Sequence, residues 1–111
     1  MASIPFLSMN TRSTARVIID TDIGSDIDDA YALAFAMKVG LDIAGISTVS
    51  GDTVKRGRIA KKMLGLAGKN SVPVFAGKNS RAILTHDRWV DPSEMLDVQQ
   101  GIDGMVEFYW R

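Results

Sequence analysis

Residues 17–37 read VIIDTDIGSDIDDAYALAFAM, and this stretch decides the fold. Its first three residues are apolar and β-branched, which is typical of a strand buried on both faces. Its last part places Ala30, Leu33, Ala34 and Met37 at the spacing of one helix face, and the opposite face is apolar as well. The stretch therefore predicts a strand, an acidic turn and a helix that is covered on most sides.

The same strand-then-helix order repeats along the chain. Ile43 to Val49 is predicted as a second strand, Lys55 to Ala67 as a second helix and Val72 to Ala76 as a third strand. Gly40 and Gly68 follow the two helices and predict their ends. Strands that alternate with helices predict an α/β fold, here an open parallel βαβαβ sheet with helices packed on its faces.

The composition of the 111-residue chain is that of an ordinary globular domain, with 46% apolar and 23% charged residues. Thirteen basic residues balance thirteen acidic ones, so we expect no nucleic acid partner. Cysteine is absent, which excludes disulfides and thiolate metal sites. Residues 1–15 contain no apolar run long enough for a signal peptide or a membrane span. We expect a flexible tail there, one domain over residues 16–111, no membrane partner and a cytoplasmic location.

Residues 20–29 contain five carboxylates and no basic residue. Acids in the first turn of a helix gain about 0.3–1 kcal/mol each from the helix dipole, which explains part of this cluster. It does not explain Asp20 and Asp22, because Asp is disfavoured at the end of a strand. Ligands of parallel sheets bind at that edge, and Ca²⁺ suits an irregular set of carboxylates better than Mg²⁺ does. We therefore expect Gly24 to form a tight turn that brings the carboxylates of Asp20, Asp22, Asp28 and Asp29 into one small volume.

Two other functions are open on these residues alone. A strand followed by Asp-x-Asp also begins the Mg²⁺-dependent phosphatases of the haloacid dehalogenase type, in which Asp20 would be the nucleophile. The second alternative is a non-catalytic Ca²⁺-binding or interaction module. The apolar end of the chain, residues 105–110, would then dock on the sheet or a partner, or form a homo-oligomer.

The remaining charged residues receive a structural interpretation. A basic run lies within the second predicted helix, and we interpret it as a solvated outer face rather than an anion site. Its members are Lys55, Arg56, Arg58, Lys61 and Lys62. His86, the one histidine, is interpreted as a residue of a surface loop.

The stretch Val17–Gly24, closing with Asp28-Asp29-Ala30-Tyr31-Ala32-Leu33, resembles the N-terminal signature of the inosine-uridine preferring nucleoside hydrolases. The similarity continues through residues 45–52, 66–68 and 72–77. The resemblance implies Ca²⁺-dependent hydrolysis of the N-glycosidic bond of ribonucleosides to base and ribose. Members of this family are much longer, so the resemblance also implies that the C-terminal half of the site is missing here and that the chain alone has little activity.

The resemblance gives each carboxylate a role. Asp22 and Asp29 would bind Ca²⁺, and Asp22 would also take the proton of a metal-bound water. Asp20 would support the metal site. Asp28 would hold ribose hydroxyls, and Asp52 occupies a position where the family commonly has an Asn that touches the sugar.

Overall fold

The computed structural model describes residues 16–109, with side chains up to residue 106. The described residues form one parallel sheet in the order β1-β2-β3-β4, made of β1 (Val17–Thr21), β2 (Ile43–Thr48), β3 (Val74–Ala76) and β4 (Gln99–Gln100). The helices are α1 (Ile27–Lys38), α2 (Thr53–Leu66) and α3 (Asp103–Tyr109), and a 3-10 turn spans Asp87–Trp89. The predicted α/β fold with an open parallel sheet is confirmed, and the predicted elements differ from the observed ones by one or two residues at their ends.

Helices α1 and α2 cover the same face of the sheet. Ile19 of β1 pairs with Ile46 of β2, which pairs with Val74 of β3. These three side chains point to one face, because neighbours in register share a face. Two right-handed crossovers in sequence place both helices on that face. The inward residues of the helices complete the core, namely Ala30, Leu33, Ala36, Ile59, Ala60 and Leu64.

The opposite face of the sheet is covered unevenly. Phe75 of β3 lies there and is fully buried, and Gly104 of α3 lies against its ring. Ile18 of β1 points to the same face and is 47% exposed. The covering of this face in the described residues therefore reaches β3 but not β1.

Helix α1 packs on one side only. Tyr31 is 70% exposed and Phe35 is 67% exposed, although both are large and apolar. The prediction that this helix is covered on most sides is therefore wrong. The helix contacts the sheet through its narrow stripe of small and branched residues, and no described element lies against its outer side.

Two further expectations concern the membrane and the end of the chain. None of the described helices combines the length and the apolar composition that a membrane span needs. The expected docking or self-association of Phe108, Tyr109 and Trp110 lies outside the described side chains.

Candidate functional site

Two strand-to-helix turns lie side by side at the carboxyl edge of the sheet, because β1 and β2 are neighbouring parallel strands. The first turn, residues 22–26, joins β1 to α1, and the second turn, residues 49–52, joins β2 to α2. Gly24 has a φ of +121° and Gly51 a φ of +65°, which only glycine adopts without strain. The predicted tight turn at Gly24 is confirmed.

Asp22 and Asp29, the acid pair, come together at the first turn. Oδ2 of Asp29 accepts one hydrogen bond from the backbone N of Asp22 at 3.1 Å and another from Oγ1 of Thr21 at 2.5 Å. Oγ1 of Thr21 in turn accepts from the backbone N of Ile23 at 3.0 Å. The Thr21 hydroxyl thus links the start of α1 to the chain that leaves β1. The sequence interpretation missed Thr21, although strand alternation places it on the helix side of the sheet with Ile19.

The acid pair has unequal proton affinities. The pKa of Asp22 is raised, first by the hydrogen bond between its carboxyl and that of Asp29, then by burial and by the negative charge of Asp29. The pKa of Asp29 is lowered, chiefly by the hydrogen bond from Thr21. Of the two carboxylates, Asp29 is therefore the one held ionised, and Asp22 is the better proton acceptor.

The other carboxylates of the cluster do not join the acid pair. Asp20 points to the opposite face of the sheet, where its Oδ1 accepts from Oγ of Ser47 at 2.7 Å. The side chain of Asp28 is exposed at the start of α1. No three Asp, Glu or His side chains of residues 16–106 gather closely enough for a metal ion. The expectation that four carboxylates share one volume is therefore wrong, and the convergent set is the pair.

The second turn uses its carboxylate differently. Asp52 is the N-cap of α2, and its Oδ1 accepts from the backbone N of Lys55 at 3.0 Å. Asp26 holds the same position at the start of α1, but its side chain makes no capping hydrogen bond. Asp52 also lines an open cavity of about 660 Å³ at the sheet edge, together with Gly51, Asn79, Ser80, Arg81, Ala82 and Ile83.

The loop after β3 is fastened to the first turn. Oγ of Ser25 donates to the carbonyl of Ile83, and Oγ1 of Thr85 donates to the carbonyl of Ser25. The backbone N of His86 donates to the carbonyl of Gly24 at 2.7 Å. The loop is therefore a fixed wall of the site.

His86 differs from the expected surface residue. It is half-buried, and its ring stacks on Trp89 with the ring centroids 4.0 Å apart. Its Nδ1 is buried without a hydrogen-bond partner in the described part of the chain. The residue packs the loop and does not point into the acid pair's hydrogen-bond network.

Arg56 overturns the interpretation of the basic run. This residue is 1% exposed, and its guanidinium donates to four backbone carbonyls around the two turns. Lys61 and Lys62 also donate to backbone carbonyls, so the run is not a solvated outer face. Helical spacing carried the missing signal, because Arg56 lies one turn before the inward residues Ile59 and Ala60.

The fold and the acid pair define a class of α/β proteins with paired carboxyl groups at the carboxyl edge of a parallel sheet, the edge where such folds bind ligands. The sequence profile of the inosine-uridine preferring nucleoside hydrolases matches residues 17–108, and the chain belongs to this family. The suspected resemblance is confirmed.

Three individual proteins are similar to this chain, and one of them is a nucleoside hydrolase. The chain is 39% identical over 66 residues to an uncharacterized protein of Schizosaccharomyces pombe, covering 58% of this chain and 21% of that one. An uncharacterized protein in the ribF 3' region of Corynebacterium ammoniagenes is also 39% identical over 66 residues, covering 57% of this chain and 70% of that one. The solved plant nucleoside hydrolase PpNRh1 superposes with a TM-score of 0.60 at 27% identity, over 87% of this chain and 37% of that chain. The chain thus spans about a fifth of the yeast relative and little more than a third of the plant enzyme.

Proposed function

We propose that this chain forms the metal-binding part of a nucleoside hydrolase, which cleaves the N-glycosidic bond of ribonucleosides into base and ribose. The observation that carries the proposal is the acid pair at the carboxyl edge of the sheet. Family membership supports the substrate class, and the solved relative is itself called a nucleoside hydrolase. The cytoplasmic location stays a prediction from the sequence.

The donor chemistry of the acid pair fits Ca²⁺. Both groups are hard carboxylate oxygens, and a bound divalent cation would offset the negative charge that Asp29 places beside Asp22. Two carboxylates supply at most four oxygens, of which Oδ2 of Asp29 already accepts two hydrogen bonds. Because Ca²⁺ takes about six to eight oxygen ligands, we expect weak binding, with a Kd on the order of 1 mM.

The chain's own residues would divide the remaining work. A bound Ca²⁺ would orient the attacking water together with the ribose hydroxyls. Asp22 would accept the proton of that water, because Oδ2 of Asp29 already accepts hydrogen bonds from Thr21 and from the backbone N of Asp22. Asp29 is held ionised by Thr21 and stabilises the positive charge that develops on the ribosyl ring.

The other predicted site residues keep supporting roles in this proposal. Asp28 is exposed at the start of α1 and free to hold ribose hydroxyls. Asp52 has one oxygen on the helix cap, which leaves the second for the sugar, and it faces the 660 Å³ cavity. Asp20 supports the metal site only indirectly, through β1, because its carboxylate is held by Ser47 on the opposite face.

Thermal unfolding with and without about 10 mM Ca²⁺, roughly ten times the expected Kd, tests the metal site. Ligand at about ten times its Kd stabilises the folded state by about 1.4 kcal/mol, which raises the Tm of a domain this size by roughly 5 °C. We expect this rise in the wild type and its loss in Asp22→Asn and Asp29→Asn. Asp26→Asn is the matched control, because this acid lies four residues from Asp22 without joining the pair, and the rise should persist. A wild-type Tm that Ca²⁺ does not change would contradict the metal site.

Product assays separate the competing functions. Ribose release from inosine or uridine should be low in the wild type and absent in Asp22→Asn. Release of phosphate from a phosphate ester that is lost in Asp20→Asn would instead indicate the phosphatase. A Ca²⁺-dependent change in molecular mass, without either reaction, would indicate the interaction module.

A further inference from the structure

We propose that Arg56 is a positioning residue for the acid pair, and that it acts by holding three loops at fixed separations rather than through its charge. The inference rests on the proposed role of Asp22 and Asp29 as a cation site. It concerns a residue of α2 that neither carries a carboxylate nor belongs to the acidic cluster.

The guanidinium of Arg56 reaches every wall of the site. Its Nε donates to the carbonyl of Ser50 at 2.6 Å, in the second turn. Its Nη1 donates to the carbonyls of Asp22 at 2.7 Å and Ile23 at 3.1 Å, in the first turn. Its Nη2 donates to the carbonyl of Ile83 at 3.1 Å, in the loop after β3. One side chain thus connects three segments, of which the first and the last are 61 residues apart in the sequence, from Asp22 to Ile83.

A planar guanidinium is needed for this connection. Arginine presents its donors in a rigid fork, whereas the donors of a lysine all radiate from one flexible point. A buried charge is tolerated only when its polar atoms are satisfied, and in the described structure Arg56 has backbone carbonyls and no ion pair. The four carbonyl oxygens therefore hold the guanidinium in one orientation, and the guanidinium in turn holds the two turns and the loop after β3 at fixed distances from one another.

The backbone of both turns is shaped around this group. A Cβ atom added to Gly24 would lie 3.3 Å from Nη1, with Leu84 nearer still, and one added to Gly51 would make an ordinary contact of 3.4 Å with Nη2. Ser50 has a φ of +75°, which is unusual for a residue with a side chain, and its carbonyl accepts from Nε. Glycine and a left-handed serine thus let the main chain approach the guanidinium from both turns.

Charge and position make opposite predictions for cation binding. The positive charge of Arg56 lies close enough to lower the pKa of both Asp22 and Asp29, so it also repels a bound cation. If charge were its main effect, removing it would strengthen Ca²⁺ binding. If the spacing of the loops is its main effect, removing it weakens Ca²⁺ binding.

Calorimetric titration of the 111-residue chain with Ca²⁺ separates the two. We expect Arg56→Gln and Arg56→Lys both to bind Ca²⁺ at least about tenfold more weakly than the wild type, as residues that orient ligands commonly do. Arg58→Gln and Arg58→Lys are the matched controls. Arg58 lies two residues further on the same helix and donates to the carbonyls of Asp91 and Glu94, away from both turns. We expect the control variants to bind within twofold of the wild type.

Two results would overturn the inference. One is wild-type affinity in Arg56→Lys, because the charge alone would then suffice. The other is tighter binding in Arg56→Gln. If neither Arg56 variant folds, Arg56 is a determinant of the whole fold and the specific positioning role is wrong.

A second measurement keeps this inference apart from the metal proposal. In Arg56→Lys without Ca²⁺, the NMR carbonyl shifts of Asp22, Ile23, Ser50 and Ile83 should change together, while Arg58→Lys leaves them unchanged. A wild type that binds no Ca²⁺ would contradict the proposed function alone. Unchanged carbonyl shifts in Arg56→Lys would contradict the positioning role alone.

Discussion

The first and second turns occupy equivalent places in the fold, yet they use their acidic residues in opposite ways. Each turn follows a parallel strand, contains a glycine with positive φ and ends on an aspartate at the N-cap of a helix. In the second turn, Asp52 caps α2. In the first turn, Asp26 caps nothing with its side chain, and Asp29 reaches back from inside α1 to Thr21 and the backbone of Asp22.

The difference separates a turn whose carboxylate caps a helix from a turn whose carboxylates pair with each other, which is the pair that we propose as a cation site. A capped helix start satisfies its own backbone donors and leaves little negative charge unpaired. In the first turn, Asp29 accepts hydrogen bonds from the Thr21 hydroxyl and from the backbone N of Asp22. These bonds hold the carboxyl group of Asp22 beside that of Asp29. Four sets of substitutions test this comparison, from the largest expected effect to the smallest.

Gly24→Ala should have the largest effect. Its φ of +121° is strained for any side chain, and an added Cβ would lie 2.5 Å from Leu84 Cδ1 and 3.0 Å from Ile59 Cδ1. We expect a loss of about 3 kcal/mol in the free energy of unfolding, measured by urea denaturation. Gly40→Ala is the control, since its φ is +80° but nothing lies within 4 Å, and it should lose only about 1 kcal/mol. Equal losses would show that Gly24 is not tightly enclosed.

Asp29→Ala should follow. It removes the acceptor of two hydrogen bonds and a negative charge at a helix start, so we expect a loss of about 2 kcal/mol. Asp29→Asn keeps an acceptor oxygen and should lose less than half as much by the same measurement. If both variants lose the same amount, the hydrogen bonds from Thr21 and Asp22 do not stabilise the turn.

The two N-cap positions should respond unequally. Asp52→Ala removes a capping hydrogen bond and should lower the free energy of unfolding by about 1 kcal/mol. Asp26→Ala removes no such bond and should lower it by about 0.3 kcal/mol at most, from the helix dipole. Thermal or urea unfolding resolves the two values. A larger loss for Asp26→Ala would reverse the comparison between the turns.

Asp22→Asn should have the smallest effect and the opposite sign. Because the folded pKa of Asp22 is raised above 3.8, its contribution to stability is greatest at low pH and is lost as the pH rises through the folded value. Asparagine cannot ionise, so the variant does not lose this stability as the pH rises. Without Ca²⁺, we therefore expect the variant to be more stable than the wild type at pH 7, by about 0.3 kcal/mol after allowance for solvent screening.

The stability difference between the wild type and Asp22→Asn should depend on pH. At pH 3 the wild type carries the proton on Asp22, so the stability advantage of Asp22→Asn over the wild type should have disappeared. Asp29 works the other way, since its lowered pKa gives stability that is lost as the pH falls through the folded value. If the free energies of unfolding of the wild type and Asp22→Asn differ by the same amount at every pH from 3 to 7, the carboxyl groups of Asp22 and Asp29 do not interact.

The main strands and helices, and the position of the acid pair at the carboxyl edge of the sheet, could be predicted from the sequence because both depend on local patterns. Alternating apolar runs fixed the order of strands and helices, and parallel strands place their carboxyl ends at one edge. Gly24 was predicted in its turn for the same reason. Strand alternation was also visible in the sequence, and applying it to Asp20 and Thr21 would have separated Asp20 from the pair and found Thr21.

The contacts between distant segments were not predictable in this way. Nothing near Arg56 in the sequence shows that its partners are the carbonyls of Asp22, Ser50 and Ile83, since backbone acceptors carry no residue signature. The composition of α2 led to a wrong interpretation, because five basic residues in one helix suggest a face exposed to solvent. The position of each residue around the helix axis would have placed Arg56 on the inward side. The prediction that α1 is covered on most sides was wrong, because an apolar pattern does not show whether another element packs against that side.

The fastening of the first turn by the loop after β3 also sets an order of events during synthesis. Ser25 and Ile83 are 58 residues apart, and at a translation speed of about 5–20 residues per second the carbonyl partner of Ser25 emerges roughly 3–12 s later. During that interval β1, α1 and β2 can associate, but the turn that carries Asp22 still lacks its outer wall. The nascent chain therefore contains the carboxylates of Asp22 and Asp29 before it contains the loop that holds the first turn.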